Sequence, residues 1–198
     1  MHRKGDILKE IPQLFFHISY SFHKWFLYYK GDFNPGYLRT LKDKVSLFET
    51  IWASYEKSIL TLIPKYVGAS WPFREIHVYC FENPEYYAVP CISDPLSINM
   101  SGGDLQLFLL YLIHELVHFI MQFDERFSKL SLDAQEAAAY FVGNRVLEDI
   151  LGHDAHFAIE AFTVPWPYDF PRIAREYKGI IDLDQSTIRE LIEQGSLL

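Results

Sequence analysis

The hydrophobic rhythm of the chain changes twice, and each stretch predicts a different kind of element. From Pro12 to Tyr29 aromatic and apolar residues crowd together, with Pro12 tolerable in a first turn, which predicts a helix. Gly31-Asp32-Phe33-Asn34-Pro35-Gly36 predicts the turn that closes it. From Tyr37 to Ile63 the apolar positions Leu38, Leu41, Val45, Phe48, Trp52, Tyr55, Ile59 and Leu62 step by three and four, the narrow seam of a helix packed on another helix. Residues 1–70 are therefore expected to form an antiparallel helical hairpin, with Pro64 near the end of its second helix, packed in one compact unit with residues 71–198.

The pattern then turns strand-like. Glu75 to Phe81 alternates and is rich in β-branched and aromatic residues. Tyr86 to Val89 and Leu96 to Met100 predict two short strands, separated by Pro90 and a Ser93-Asp94-Pro95 turn. Asp104 stands where a helix N-cap belongs, and a long apolar helix follows to about Asp124. Another helix is expected from Leu132 to Leu151, stopped by Gly152. A short helix near His153 to Phe162, a bend at Pro165-Trp166-Pro167 and a last helix near Ser186 to Glu193 complete the chain. Helices, then a small mixed sheet, then helices imply an α+β fold.

Composition narrows the function classes. The 49% hydrophobic and 22% charged content is that of a folded domain. A net charge of −8 without a basic stripe excludes a nucleic-acid partner, whose phosphates need clustered cations. Cys80 and Cys91 either face each other across a hairpin and oxidise or stay free in a reducing compartment. The charged N-terminus lacks a secretory apolar block, so a cytoplasmic protein is expected. Leu105 to Phe123 is nearly long enough to span a bilayer, but it carries His114, Glu115 and His118 at its centre and no second span accompanies it. A buried core helix, and no stable membrane span, is the expectation.

Those three polar residues carry the chemistry. His114-Glu115-Leu116-Val117-His118 spells HExxH, and residues four apart on a helix share a face. Two imidazoles can thus meet one zinc ion, while Glu115, rotated by about 100°, does not ligate but can act as general base on the metal's water. An apolar helix that buried three ionisable side chains without a cation would leave them uncompensated. A catalytic zinc needs a third protein ligand. Met121 and Asp124 stand where the extended three-histidine consensus needs glycine and histidine, so that class is excluded.

His114 to His118 followed by Glu136-Ala137-Ala138-Ala139-Tyr140-Phe141 resembles the compact gluzincins, including the ImmA/IrrE-like peptidases and the minigluzincins, over roughly residues 75 to 150. The resemblance implies one zinc ion on His114, His118 and Glu136, a zincin-type sheet packed on the HExxH helix and the helix after it, and a peptide or protein substrate. Spacing agrees: about six residues (~9 Å) from His118 to its helix end and about four (~6 Å) into the next bring Glu136 level with the histidines in an antiparallel pair. Asp133-x-x-Glu136 also fits a capping box. Asp124 and Glu125 lie too close to His118 to close a site, and His153 and His156 are reserve ligands or oxyanion donors. Tyr86, Tyr87 and Tyr140 are further oxyanion candidates. Tyr140 holds the place where thermolysin-like enzymes have an aspartate supporting a zinc histidine. Zinc peptidases of this type pair substrate along an edge strand, and Ser97, Ile98, Asn99 and Met100 form either that edge or an interior strand. The alternatives to peptide hydrolysis are a zinc-binding structural or regulatory protein without turnover and a helical partner-binding protein without metal.

Overall fold

Residues 11–19, 35–82, 91–93, 95–101, 105–155 and 169–198 are described in a computed structural model of the chain. Four strands, β1 (Gln13–His17), β2 (Glu75–Phe81), β3 (Cys91–Ser93) and β4 (Leu96–Asn99), form one mixed sheet in the order β1-β2-β4-β3. β1, β2 and β4 run parallel, and β3 returns antiparallel to β4. Five α-helices accompany them: α1 (Pro35–Val67), α2 (Leu105–Gln122), α3 (Leu132–Leu151), α4 (Phe170–Tyr177) and α5 (Ile188–Glu193). The α+β class is as expected, and β2, α2 and α3 fall where the sequence pattern places them.

β2 alternates as a half-covered strand should, with Ile76, Val78 and Cys80 buried and Glu75 and His77 exposed. Its buried side shares a core with α1, where Phe16 of β1 meets Phe48 and Trp52 edge-on at 5.6 and 6.0 Å. α1 continues through Pro64, which has no N–H to offer the carbonyl of Leu60. The buried indole of Trp71 donates to that carbonyl at 2.8 Å, so the acceptor freed by the proline is satisfied. Gly68 ends the helix at φ +77, and a side chain there would meet Thr187 and Arg189 at 2.8 Å. Only glycine suits both the left-handed backbone and this close approach of the segment leading into α5.

α2 is apolar nearly all round and is the one described helix long and apolar enough to cross a membrane. It packs against α1, α3, β3 and β4, and ten of its 18 residues are buried, which makes it the central helix of this core.

Several expectations need correction. The stretch expected to be helical from Pro12 to Tyr29 forms strand β1 over Gln13–His17, and residues 20–34 lie outside the described residues. β1 pairs residue for residue with the first five positions of β2, across the expected division at residue 70. Both its faces carry apolar or aromatic groups, with Leu14 and Phe16 facing inward and Phe15 stacked on His77, so it lacks the alternation that marks a one-sided strand. Ser97, Ile98 and Asn99 lie in β4, which is hydrogen-bonded on both sides and wholly buried, so the Ser97–Met100 segment is an interior strand and not a substrate edge. The outer strand on that side, among the described residues, is β3, which is too short to show a period and sits between Pro90 and Pro95. Cys80 and Cys91 both pair in register with Ile98, so β4 lies between them. Two strand spacings, roughly 10 Å, exceed the Cα separation of about 7 Å that a disulfide tolerates. Cys80 is a free, buried cysteine whose thiol is pushed up to about 12 by burial and by the charge of Glu49. The expected strand at Tyr86–Val89, the Asp104 cap, the Pro165–Pro167 bend and the helix beyond residue 155 lie outside the described residues. Gly152–Asp154 forms a 3-10 turn.

Candidate metal centre

Two helices build the site. α3 starts at Ser131, whose side chain accepts from the backbone N–H of Ala134 at 3.2 Å. Asp133 therefore lies inside the first turn, and the Asp133–Glu136 capping box does not form. Asp133 is instead ion-paired with Arg172 of α4 at 2.7 Å. This leaves the Glu136 carboxylate available to the neighbouring helix. Glu136 lies beside His114 and His118, and Gly143 lies beside Leu110 and His114, so α3 runs antiparallel to α2. Ala137, Ala138 and Ala139 are fully buried in the same stretch. A Cβ added at Gly143 would sit 3.9 Å from the backbone of His114, so α3 passes close to the HExxH turn at this glycine.

The result is a triangle of donors. Nε2 of His114 and Nε2 of His118 are 3.1 Å apart. Oε2 of Glu136 is 3.3 Å from the first and Oε1 is 3.4 Å from the second. A tetrahedral zinc ion with ligands at about 2.0–2.1 Å has ligand–ligand edges of about 3.3 Å. The donor types fit, the three residues offer one ligand atom each within 4.8 Å of one another, and this is the one such group of His, Cys, Asp or Glu side chains found among the described residues. The side chains are deep, with exposures of 7% for His114, 14% for His118 and 9% for Glu136, so water does little to offset their polarity.

Electrostatics show what the cluster lacks. Burial alone raises the Glu136 carboxyl, but hydrogen bonds from His114 and His118 outweigh it and hold the group down at about 2. Burial favours a neutral His118, yet the hydrogen bond to Glu136 and the negative charges of Glu115 and Glu136 outweigh it and raise that ring above its ordinary value. Two imidazoles beside two carboxylates, largely shielded from water, make a site that favours positive charge. Glu115 is half-buried and close enough to His118 for its charge to be felt there, outside the donor triangle.

Of the other candidates, Asp124 is occupied by Arg126, which donates to it from Nε at 2.8 Å and from its backbone N–H, and which lowers its pKa. Glu125 is exposed. Tyr140, one turn beyond Glu136, stacks on Phe170 of α4 at 5.7 Å and 21°. Phe170 in turn meets the His114 ring edge-on at 5.8 Å and 87°. The side chain of His153, and all of His156, Tyr86 and Tyr87, lie outside the described residues. Phe170, Arg172 and Gly143 are the neighbours that sequence reasoning missed. The signals were an Asp-Phe-Pro helix start at 169–171 and a glycine seven residues after Glu136, two helical turns along the same face. The chain matches no protein-family model, no curated protein and no solved structure.

Proposed function

We propose that the chain is a zinc-dependent metallopeptidase, with zinc held by His114, His118 and Glu136 and with Glu115 as general base. The observation that carries this reading is the meeting of two Nε2 atoms and a carboxylate at 3.1–3.4 Å inside an apolar core. Three protein ligands fit a catalytic zinc, whereas structural zinc sites close with four. Zinc held by these three residues would supply Lewis acidity and lower the pKa of a bound water towards about 7. Glu115, on the turn between the two histidines and near enough to His118 for its charge to be felt there, would accept the proton of a water attacking the scissile carbonyl. It then returns that proton to the leaving amine. Burial of the site keeps bulk water from competing for that proton. β3 is the outermost described strand on its side of the sheet and packs against α2, and we assign the pairing of an extended peptide to it. A cytoplasmic setting accords with the buried free thiol of Cys80.

One observation favours a second reading, a zinc-binding structural or regulatory protein without turnover. The ring of Tyr140, which stands where thermolysin-like enzymes carry a supporting aspartate, stacks on Phe170 and brings no carboxylate to the zinc histidines. Peptide-library digestion separates the two. The metallopeptidase reading predicts cleavage by the zinc-loaded protein and a loss of about 10²–10⁴-fold in Glu115→Gln, with zinc retained. Equal activity in that variant, or none in the zinc-loaded wild type, would contradict it.

A further inference from the structure

We infer that α4 is a clamp that sets the geometry of the metal centre, with Phe170 as its positioning residue and Arg172 as its tie. The inference rests on the proposed zinc site and adds the element that tunes it. α4 grips α3 on both sides of Glu136. Arg172 pairs with Asp133 at 2.7 Å, three residues before the carboxylate ligand, and Phe170 stacks on Tyr140, four residues after it. The same Phe170 ring presses edge-on against His114. One aromatic ring therefore spans both helices that carry the ligands.

The start of α4 is built to hold that ring still. Asp169 caps the helix by accepting from the backbone N–H of Arg172 at 3.0 Å, and Pro171 stiffens its first turn. Ile173 is fully buried, and Glu176 holds the Arg172 guanidinium from one turn further along at 2.7 Å. Metal-site histidines need their ring planes fixed, and loss of such support commonly weakens metal binding by about 10–100-fold. Here an aromatic contact on His114 and a two-point grip around Glu136 provide that support. Coupling is reciprocal: if a docked α4 tightens zinc binding, zinc must stabilise the docked α4 by the same factor.

The test uses the full chain and two probes, Zn(II) affinity by chelator competition and the visible absorption of the Co(II)-substituted protein, which reports ligand geometry. Phe170→Met removes the ring but keeps an apolar side chain. It is expected to weaken zinc binding by about 10–100-fold and to shift the Co(II) spectrum, with the far-ultraviolet circular dichroism of the metal-free protein unchanged. Arg172→Ala, at a partly exposed side chain, is expected to weaken binding several-fold, and Arg172→Lys to recover part of the loss. A folded Phe170→Met protein with wild-type zinc affinity and Co(II) spectrum would overturn the clamp. Should Phe170→Met not fold, wild-type affinity in Arg172→Ala would overturn it. A wild type that binds no zinc, matching His114→Ala, would overturn the metal site itself, a different result from normal binding by the α4 variants.

Discussion

Among the described residues two histidines meet in two places, and the two pairs are built differently. His114 and His118 sit one turn apart on α2, buried, with a carboxylate from α3 bridging them. His17 and His77 meet across β1 and β2 on an exposed face, with Nε2 and Nδ1 2.8 Å apart and with Phe15 and Tyr79 stacked or tilted against the rings. The cross-strand nitrogens are the closer of the two pairs, yet that pair has no third His, Cys, Asp or Glu ligand within reach among the described residues. One hydrogen bond satisfies it: one ring donates, the other accepts, and water reaches the rest. In the helical pair both Nε2 atoms aim at the same small volume as a carboxylate, in an environment that offers them little water. Proximity of imidazoles therefore does not by itself mark a metal site; burial and an anionic third group are what set the helical cluster apart as the candidate.

The sharpest way to break this comparison is to remove one member of each pair. His114→Ala or Glu136→Ala should lower zinc affinity by at least about 100-fold, since a buried three-ligand site loses a direct donor. His17→Ala and His77→Ala should leave one zinc per chain, with a stability change of about 1 kcal/mol or less, as expected for an exposed hydrogen bond. Isothermal titration of metal-free protein checks both arms. Equal losses in the two pairs would remove the distinction drawn here.

A second prediction concerns helix spacing. Gly143→Leu forces side-chain volume between α3 and the HExxH turn and should cost about 1–3 kcal/mol, with weakened zinc binding. Gly143→Ala meets its nearest neighbour, Cδ1 of Leu110, at 3.5 Å, an ordinary contact. It should keep zinc affinity and gain up to about 1 kcal/mol from the lower flexibility of the unfolded chain. Thermal melts with and without zinc measure both.

The third and smallest effect is on pH. In the metal-free protein Glu136 is held at about 2 against an ordinary 4.5, so its stabilising contribution is present above pH 4.5 and is lost as pH falls towards 2. His118 is raised, so its contribution is present below pH 6.5 and is lost as pH rises through its folded-state value. Metal-free stability should fall on both sides of that interval, and Glu136→Gln should flatten both limbs. An unchanged denaturant-midpoint profile in that variant would count against the coupling.

How much of this was legible in the sequence follows from which interactions are local. α2, α3 and β2 each carry their own period, caps or breakers, and HExxH encodes its geometry in the four-residue step of a helix. Glu136 was reachable because a short connection and two helix lengths fix its height. β1 and β3 were not legible: one pairs with a strand about sixty residues away and has apolar groups on both faces, and the other is three residues long. Phe170 was equally hidden, since nothing near Asp169-Phe170-Pro171 in the chain shows that the ring meets His114. Ser97–Met100 was legible as a strand, but the choice between edge and interior was not, because local pattern does not reveal how many neighbours a strand has.

The central claim is that His114, His118 and Glu136 hold one metal ion with a position left open. The most direct measurement is metal analysis of the purified full chain together with X-ray absorption at the zinc edge. The expected result is one zinc per chain, with two imidazole nitrogens, a carboxylate oxygen and one exchangeable light-atom ligand at about 2.0–2.1 Å. A metal-free chain whose three side chains are satisfied by hydrogen bonds alone, or a zinc bound by four protein ligands, would contradict it.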